Sequence, residues 1–157
     1  FSHTQKSNEN LTLKGELMKK FHASALFFLI ITCFISSHSI AGEAENDALK
    51  AAGEWLILID NNDYGAGGDN ETAVFKQAIT KEQWEEAIQP IRSAMGDLIS
   101  RKVKSAKYTD SLPGAPDGEY VVIQFSTGFT NKKSAIETVT PMKDPDGKWR
   151  VSGYYIK

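Results

Sequence analysis

The chain is nearly without the two side chains that enzymes use most. Its single cysteine, Cys33, and its three histidines, His3, His22 and His38, all lie in the first 38 residues. From residue 39 onward there is neither thiol nor imidazole. For that stretch Ser-His-Asp and Cys-His nucleophile pairs are excluded. So are the usual zinc, copper and haem ligand sets. No disulfide can form within it, so one hydrophobic core must hold it, and its length is sufficient for that. No Gly-rich phosphate loop followed by Lys-Ser or Lys-Thr occurs, and no dinucleotide fingerprint. No cofactor is expected.

The first 41 residues read as processing sequence. Met18-Lys19-Lys20 is a short basic opening, Phe21–Ile35 is dominated by apolar residues, and Ser39-Ile40-Ala41 supplies small residues at a cleavage site. This is the pattern of a secretory signal peptide over 18–41, and its apolar run is short for a membrane span. A retained anchor is the alternative. Cys33 follows Thr32, a poor neighbour for lipidation. Residues 1–17 precede a natural start at Met18 and read as translated leader. The expectation is one globular domain over 42–157, exported to the periplasm or outside of a bacterium, with no stable membrane anchor once the signal is removed.

Within that domain the hydrophobic period changes once. Residues 45–60 read as a helix with Ala48, Ala52, Trp55 and Ile59 on one stripe. Gly65 to Gly68 reads as a flexible loop. A short helix capped by Asp69 or Asn70 should run through Ile79, burying Val74, Phe75 and Ile79. Thr80-Lys81-Glu82-Gln83 is a capping box for a further helix that carries Trp84, Ala87, Ile88 and Ile91 inward, with a kink or restart at Pro90 and a stop at Gly96. From Ser100 the period is two. Strands are expected at Ser100–Thr109, Glu119–Thr127, Ser134–Met142 and Trp149–Lys157. The runs Leu112–Gly118 and Asp144–Gly147 have the Pro, Asp and Gly that tight turns require. On the last strand Trp149 and Val151 are expected to face with Tyr155, and Tyr154 oppositely. The order gives an α+β fold: two to three helices packed on a curved four-stranded antiparallel sheet.

The segments Lys81–Trp84, Leu112–Tyr120, Asn131–Ser134 and Asp146–Tyr155 together resemble a secreted bacterial family known only as domain of unknown function 4019. The resemblance covers nearly all of 42–157. It implies a cystatin-like or nuclear-transport-factor-like arrangement and brings no activity with it.

Several chemistries remain for weighing. Asp60, Asn62, Gly65 and Glu71 stand at positions 1, 3, 6 and 12 of a calcium loop. Tyr64 and Gly67 fit that loop badly, and the plainer reading is a helix end with turn-forming residues. A carboxylate with raised pKa and a Tyr could move protons in a pocket under the sheet. Arg92 could receive a ligand carboxylate or join a local ion pair; Arg150 is read the same way. Trp55, Trp84 and Trp149 read as core. The residues set aside for a ligand are Arg92, Gln124, Glu137 and Tyr154, with no catalytic and no metal-binding residue assigned.

Charge is uneven. Residues 42–100 hold four basic and twelve acidic side chains, and residues 101–157 hold ten basic and six acidic. The excess centres on Arg101–Lys107 and Lys132-Lys133, and reads as a solvated strand face or as a guide for an acidic partner. The acidic helical half argues against nucleic acid. The leading expectation is a non-catalytic domain that binds a small molecule or another envelope protein. The alternatives are a cofactor-free pocket enzyme using carboxylate and Tyr, and a basic-faced module for anionic glycans or membrane headgroups.

Overall fold

A computed structural model describes residues 39–157, with side chains from residue 42 onward. The leader, the three histidines, Cys33 and all but the end of the signal segment lie outside the described residues. Contacts gather Ala41–Lys157 into one unit.

Helix α1, Ser39–Asp60, starts earlier than its apolar period indicated. Ala48, Ala52, Trp55, Leu56 and Ile59 are its buried stripe, the spacing of one helical face. No helix among the described residues is long and apolar enough to cross a membrane.

The expected Gly65–Gly68 loop is instead a short helix, α2, Tyr64–Asp69. Asp63 caps it by accepting from the Ala66 N–H. Its glycines are there for close approach rather than flexibility. A Cβ on Gly67 would sit 2.7 Å from Ile59 Cδ1, and one on Gly68 would sit 2.9 Å from Trp84 Cδ1. Both indoles then bond the helix backbone: Trp55 Nε1 donates to the Gly67 carbonyl and Trp84 Nε1 to the Tyr64 carbonyl, each at 3.0 Å. Burying two tryptophans needs partners for their N–H groups, and a helix without side chains on that side supplies them.

Helix α3, Ala73–Ala78, is capped by Thr72, not by Asp69 or Asn70. Its apolar residues are only partly buried, with Phe75 and Ile79 packed against the core. Helix α4, Lys81–Met95, opens on the expected capping box, Thr80 with Gln83. It runs through Pro90 as one helix and stops at Gly96, whose φ of 76° suits glycine. Its buried face is Trp84, Ile88 and Arg92. Ile91, expected inside, is 46 % exposed, and Ala87 is exposed. The steps of four residues hold, but the third inward position carries a guanidinium.

Four antiparallel strands follow: β1 Leu98–Thr109, β2 Tyr120–Phe129, β3 Ala135–Lys143 and β4 Trp149–Ile156, in the order β1-β2-β3-β4. The fold is α+β, as the period change implied. Val121, Ile123, Phe125, Val139 and Val151 join the helical apolar residues in one core. The β3–β4 register slips between Thr140 and Pro141, which pair with Gly153 and Val151. That bulge resets the alternation. Val151 and Tyr154 therefore share the core side, and Tyr155, expected there, is 63 % exposed. The two sheet edges differ. Beside β4, Glu71 forms a parallel bridge with Val151, and the Thr72 N–H donates to the Val151 carbonyl at 3.0 Å.

The packing at α2 yields a test. Gly68→Ala adds a methyl against a rigid indole. Overpacking costs about 1–3 kcal/mol, whereas the helix preference for Ala returns about 1 kcal/mol at most. Urea unfolding should show a lower midpoint for Gly68→Ala with an unchanged m-value.

Candidate functional site

The charged residues that the fold turns inward meet in one place. Asp60 comes from the end of α1, Arg92 from α4, Arg101 from β1, Glu137 from β3 and Tyr154 from β4. Arg101 bridges both carboxylates. It donates to Asp60 Oδ2 and Oδ1 at 2.6 and 2.9 Å, and to Glu137 Oε2 and Oε1 at 2.6 and 3.1 Å. Arg92 donates to Asp60 Oδ1 at 2.8 Å and to the Tyr154 hydroxyl at 3.4 Å. Its guanidinium carbon lies 4.8 Å from the Phe129 ring centre. Thr127 donates to Glu137 Oε2 at 2.6 Å, and Tyr154 donates to Glu137 Oε1.

Two cations thus balance two anions within a nearly dry space. The Glu137 side chain is fully buried, and that of Arg92 is 4 % exposed. Burial works against the charge on Arg101, but the hydrogen bonds to Asp60 and Glu137 outweigh it and hold its pKa above the ordinary value. Burial, and then the Glu137 charge beside it, push the Tyr154 phenol up. It remains a donor throughout the working pH range.

Of the four residues set aside for a ligand, three come together: Arg92, Glu137 and Tyr154. Gln124 does not join them. It pairs with Thr138 across β3, one register step from the Phe125–Glu137 pair, and so points to the other face of the sheet. Sequence reasoning missed Asp60, Arg101 and Thr127 as members. Arg101 looked like one of a run of surface bases, and strand alternation alone separates it from Lys102. Thr127 faces it directly on β2. Asp60, weighed as a calcium ligand, has both carboxylate oxygens occupied by the arginines. The calcium spacing is also broken by α2, which makes Tyr64–Asp69 helical. Arg150 pairs with Asp144 and Asp146.

A second buried acid has the opposite character. Glu71 is 1 % exposed, and neither of its carboxylate oxygens has a hydrogen-bond partner. It lines a cavity of about 110 Å³ with Phe75, Ile79 and Trp84, rimmed by Lys76 and Lys81. Burial pushes its pKa up to about 9, against a weaker opposing pull from Lys76. At neutral pH it is an uncharged acid. Only its place in the calcium pattern marked it in the sequence.

Two measurements follow. Glu137→Leu leaves two buried guanidiniums sharing Asp60, and removing one partner of a buried ion group costs about 3–5 kcal/mol. Gln124→Ala, outside the cluster, should stay within about 0.5 kcal/mol. Urea unfolding of both variants tests the contrast. For Glu71 the sign follows from the raised pKa. Between pH 4.5 and about 9 the unfolded chain has released a proton that the folded chain keeps. Stability therefore falls as pH rises through that window, by up to about 1.4 kcal/mol per pH unit. Glu71→Gln should flatten that slope, matching the parent near pH 4 and exceeding it increasingly towards pH 9.

Comparison with the curated proteins and with the solved structures gave no match. A family profile described as Protein of unknown function (DUF4019) matches residues 51–154. That span runs from within α1 to β4 and contains every member of the ion cluster and Glu71. The chain belongs to this family of unknown function, the one that its turn and strand motifs resembled.

Proposed function

We propose that this domain is a non-catalytic recognition module, exported to the bacterial envelope, that takes an extended acidic segment of a partner protein along β1. The β1 edge carries the proposal. The sheet is open, and β1 is its longest strand. Ile99 and Val103 are 56 % and 54 % exposed, and Lys102, Lys104 and Lys107 are exposed along the same strand. An open strand edge offers backbone donors and acceptors to an incoming strand, with alternate side chains setting the choice. Glu45 of α1 accepts from the Tyr108 N–H at the far end of β1. The other edge, at β4, is met by Glu71 and Thr72. Three lysines around exposed aliphatic side chains suit a partner with alternating acidic and apolar residues.

The site chemistry supports recognition over turnover. A general base needs a free lone pair within reach of a proton. Two Arg101 nitrogens, Thr127 and Tyr154 all donate to Glu137, and a carboxylate has about four such positions. Arg92 uses its two terminal nitrogens on Asp60 and Tyr154, and its buried Nε has no partner.

The test uses a fluorescent peptide of alternating Glu and Val, beside a Lys-Val peptide and heparin. The Glu-Val peptide should slow amide exchange over Ile99–Val103 and bind less tightly as salt rises. Val103→Pro, which stops strand pairing, should abolish binding. Lys102→Glu with Lys104→Glu should weaken it about tenfold, or roughly 1.4 kcal/mol. Heparin binding that survives Val103→Pro, with no peptide-dependent protection of β1, would replace this reading with the anionic-glycan one.

A further inference from the structure

The Glu71 cavity lies apart from both the ion cluster and the β1 edge. We propose that it is a binding site for a small carboxamide, held by two hydrogen bonds to the Glu71 carboxyl and stacked among Phe75, Ile79 and Trp84. The two free oxygens are the starting point. Buried polar atoms in folded proteins are nearly always partnered, and leaving one unpartnered costs about 1–3 kcal/mol. Here both oxygens of one carboxyl are unpartnered and enclosed, and the residue lines a cavity of about 110 Å³, so a ligand there meets the carboxyl by a turn of the Glu71 side chain. That volume admits a few non-hydrogen atoms.

The walls decide the class of ligand. Phe75 and Trp84 meet edge to face with ring centres 5.5 Å apart, which gives the cavity an apolar corner of two perpendicular rings. The charged groups at the rim are Lys76 of α3 and Lys81 of α4. Lys76 donates to the Asp69 carbonyl at 2.9 Å, and Lys81 pairs with the Asp69 carboxylate at 2.8 Å. On β4, Arg150 is paired with Asp144 and Asp146. A cationic ligand would have to pass two ammonium groups. An anionic ligand would lose its hydration against aromatic walls, with both ammonium groups already held by Asp69. A neutral carboxyl presents one O–H donor beside one carbonyl acceptor. Its complement is a planar group with an acceptor beside an N–H, which is a carboxamide.

A free amide and a glutamine side chain on a partner segment share this chemistry. The experiment is an NMR titration of the whole domain at neutral pH, following the Trp84 indole N–H and the Glu71 and Phe75 amides. Acetamide, an Ala-Gln-Ala peptide, an Ala-Ala-Ala peptide and methylammonium are added separately. Acetamide should give saturable shifts confined to these residues. Glu71→Gln keeps a donor and an acceptor and should keep binding. Glu71→Leu removes both, folds without the buried acid, and should weaken binding at least about tenfold. Saturation by Ala-Gln-Ala but not Ala-Ala-Ala would assign the site to a side chain of a partner, and saturation by acetamide alone to a free ligand. Absence of saturation with both amides, equal shifts in Glu71→Leu, or tighter binding of methylammonium would each overturn the proposal.

Discussion

Glu137 is the point on which the rest of the structure closes. A carboxylate with no contact to water survives only if its charge and its lone pairs are both answered. The answers come from β1, β2 and β4, through Arg101, Thr127 and Tyr154, while Arg92 of α4 adds its charge at 3.6 Å. Arg101 carries the linkage on to Asp60 and hence to α1. Asp60 is the last residue of α1, where the helix dipole disfavours a negative charge and where no basic residue of the helix itself stands nearby. Two arginines from elsewhere in the chain compensate it. Such a cluster adds little to stability compared with packed aliphatics, and its best-supported use is to fix one arrangement. Here that arrangement includes strand register. A slip of one residue would send Arg101 to the opposite face of the sheet and leave Glu137 without its principal partner.

The cluster is joined to the helical layer by aromatic contacts. Tyr154 meets Trp55 edge-on with ring centres 5.1 Å apart, Trp55 lies 6.0 Å from Trp84, and Trp84 meets Phe75 at 5.5 Å. The row starts at a phenol that donates to Glu137 and ends at the wall of the Glu71 cavity. The α2 glycines allow it to form, since any larger residue at Gly68 would occupy the place of the Trp84 ring. Two buried acids with opposite solutions to burial thus share one rigid support. Glu137 has the guanidiniums of Arg101 and Arg92 beside it at 2.6 and 3.6 Å. Glu71 gives up its charge because burial outweighs the weaker opposing pull of Lys76.

Sequence patterning carried the fold class and the strands, because period two and period 3.6 are read directly from apolar spacing. The Thr80–Gln83 cap and the Gly96 stop were also legible, being local backbone chemistry. What failed depended on distant partners. Gly65–Gly68 has the composition of a loop, and it becomes helical because two indoles and Asp63 supply what a glycine run lacks. The phase of β4 was lost at a bulge that only the facing β3 register defines. Arg92, Glu137 and Tyr154 could be picked out singly, since each is an ionisable or polar group on an element with an apolar face. Their convergence with Asp60 and Arg101 could not be seen, because five separate elements bring them together.

The uneven charge of the two halves stays at their surfaces. The interior takes one acid and one base from each half: helical Asp60 meets Arg101 of the sheet, and sheet Glu137 meets helical Arg92. The exchange is reciprocal, so it makes the two layers electrostatically complementary without leaving net charge in the core. Arg150 is held by Asp144 and Asp146, one base between two acids. The basic residues left in solvent on β1 are Lys102, Lys104 and Lys107, on a strand edge that also exposes Ile99 and Val103. Lysine on an open edge is a common guard against indiscriminate strand pairing. The same charge that repels a copy of this strand attracts an acidic one, so protection and selectivity follow from a single arrangement of residues.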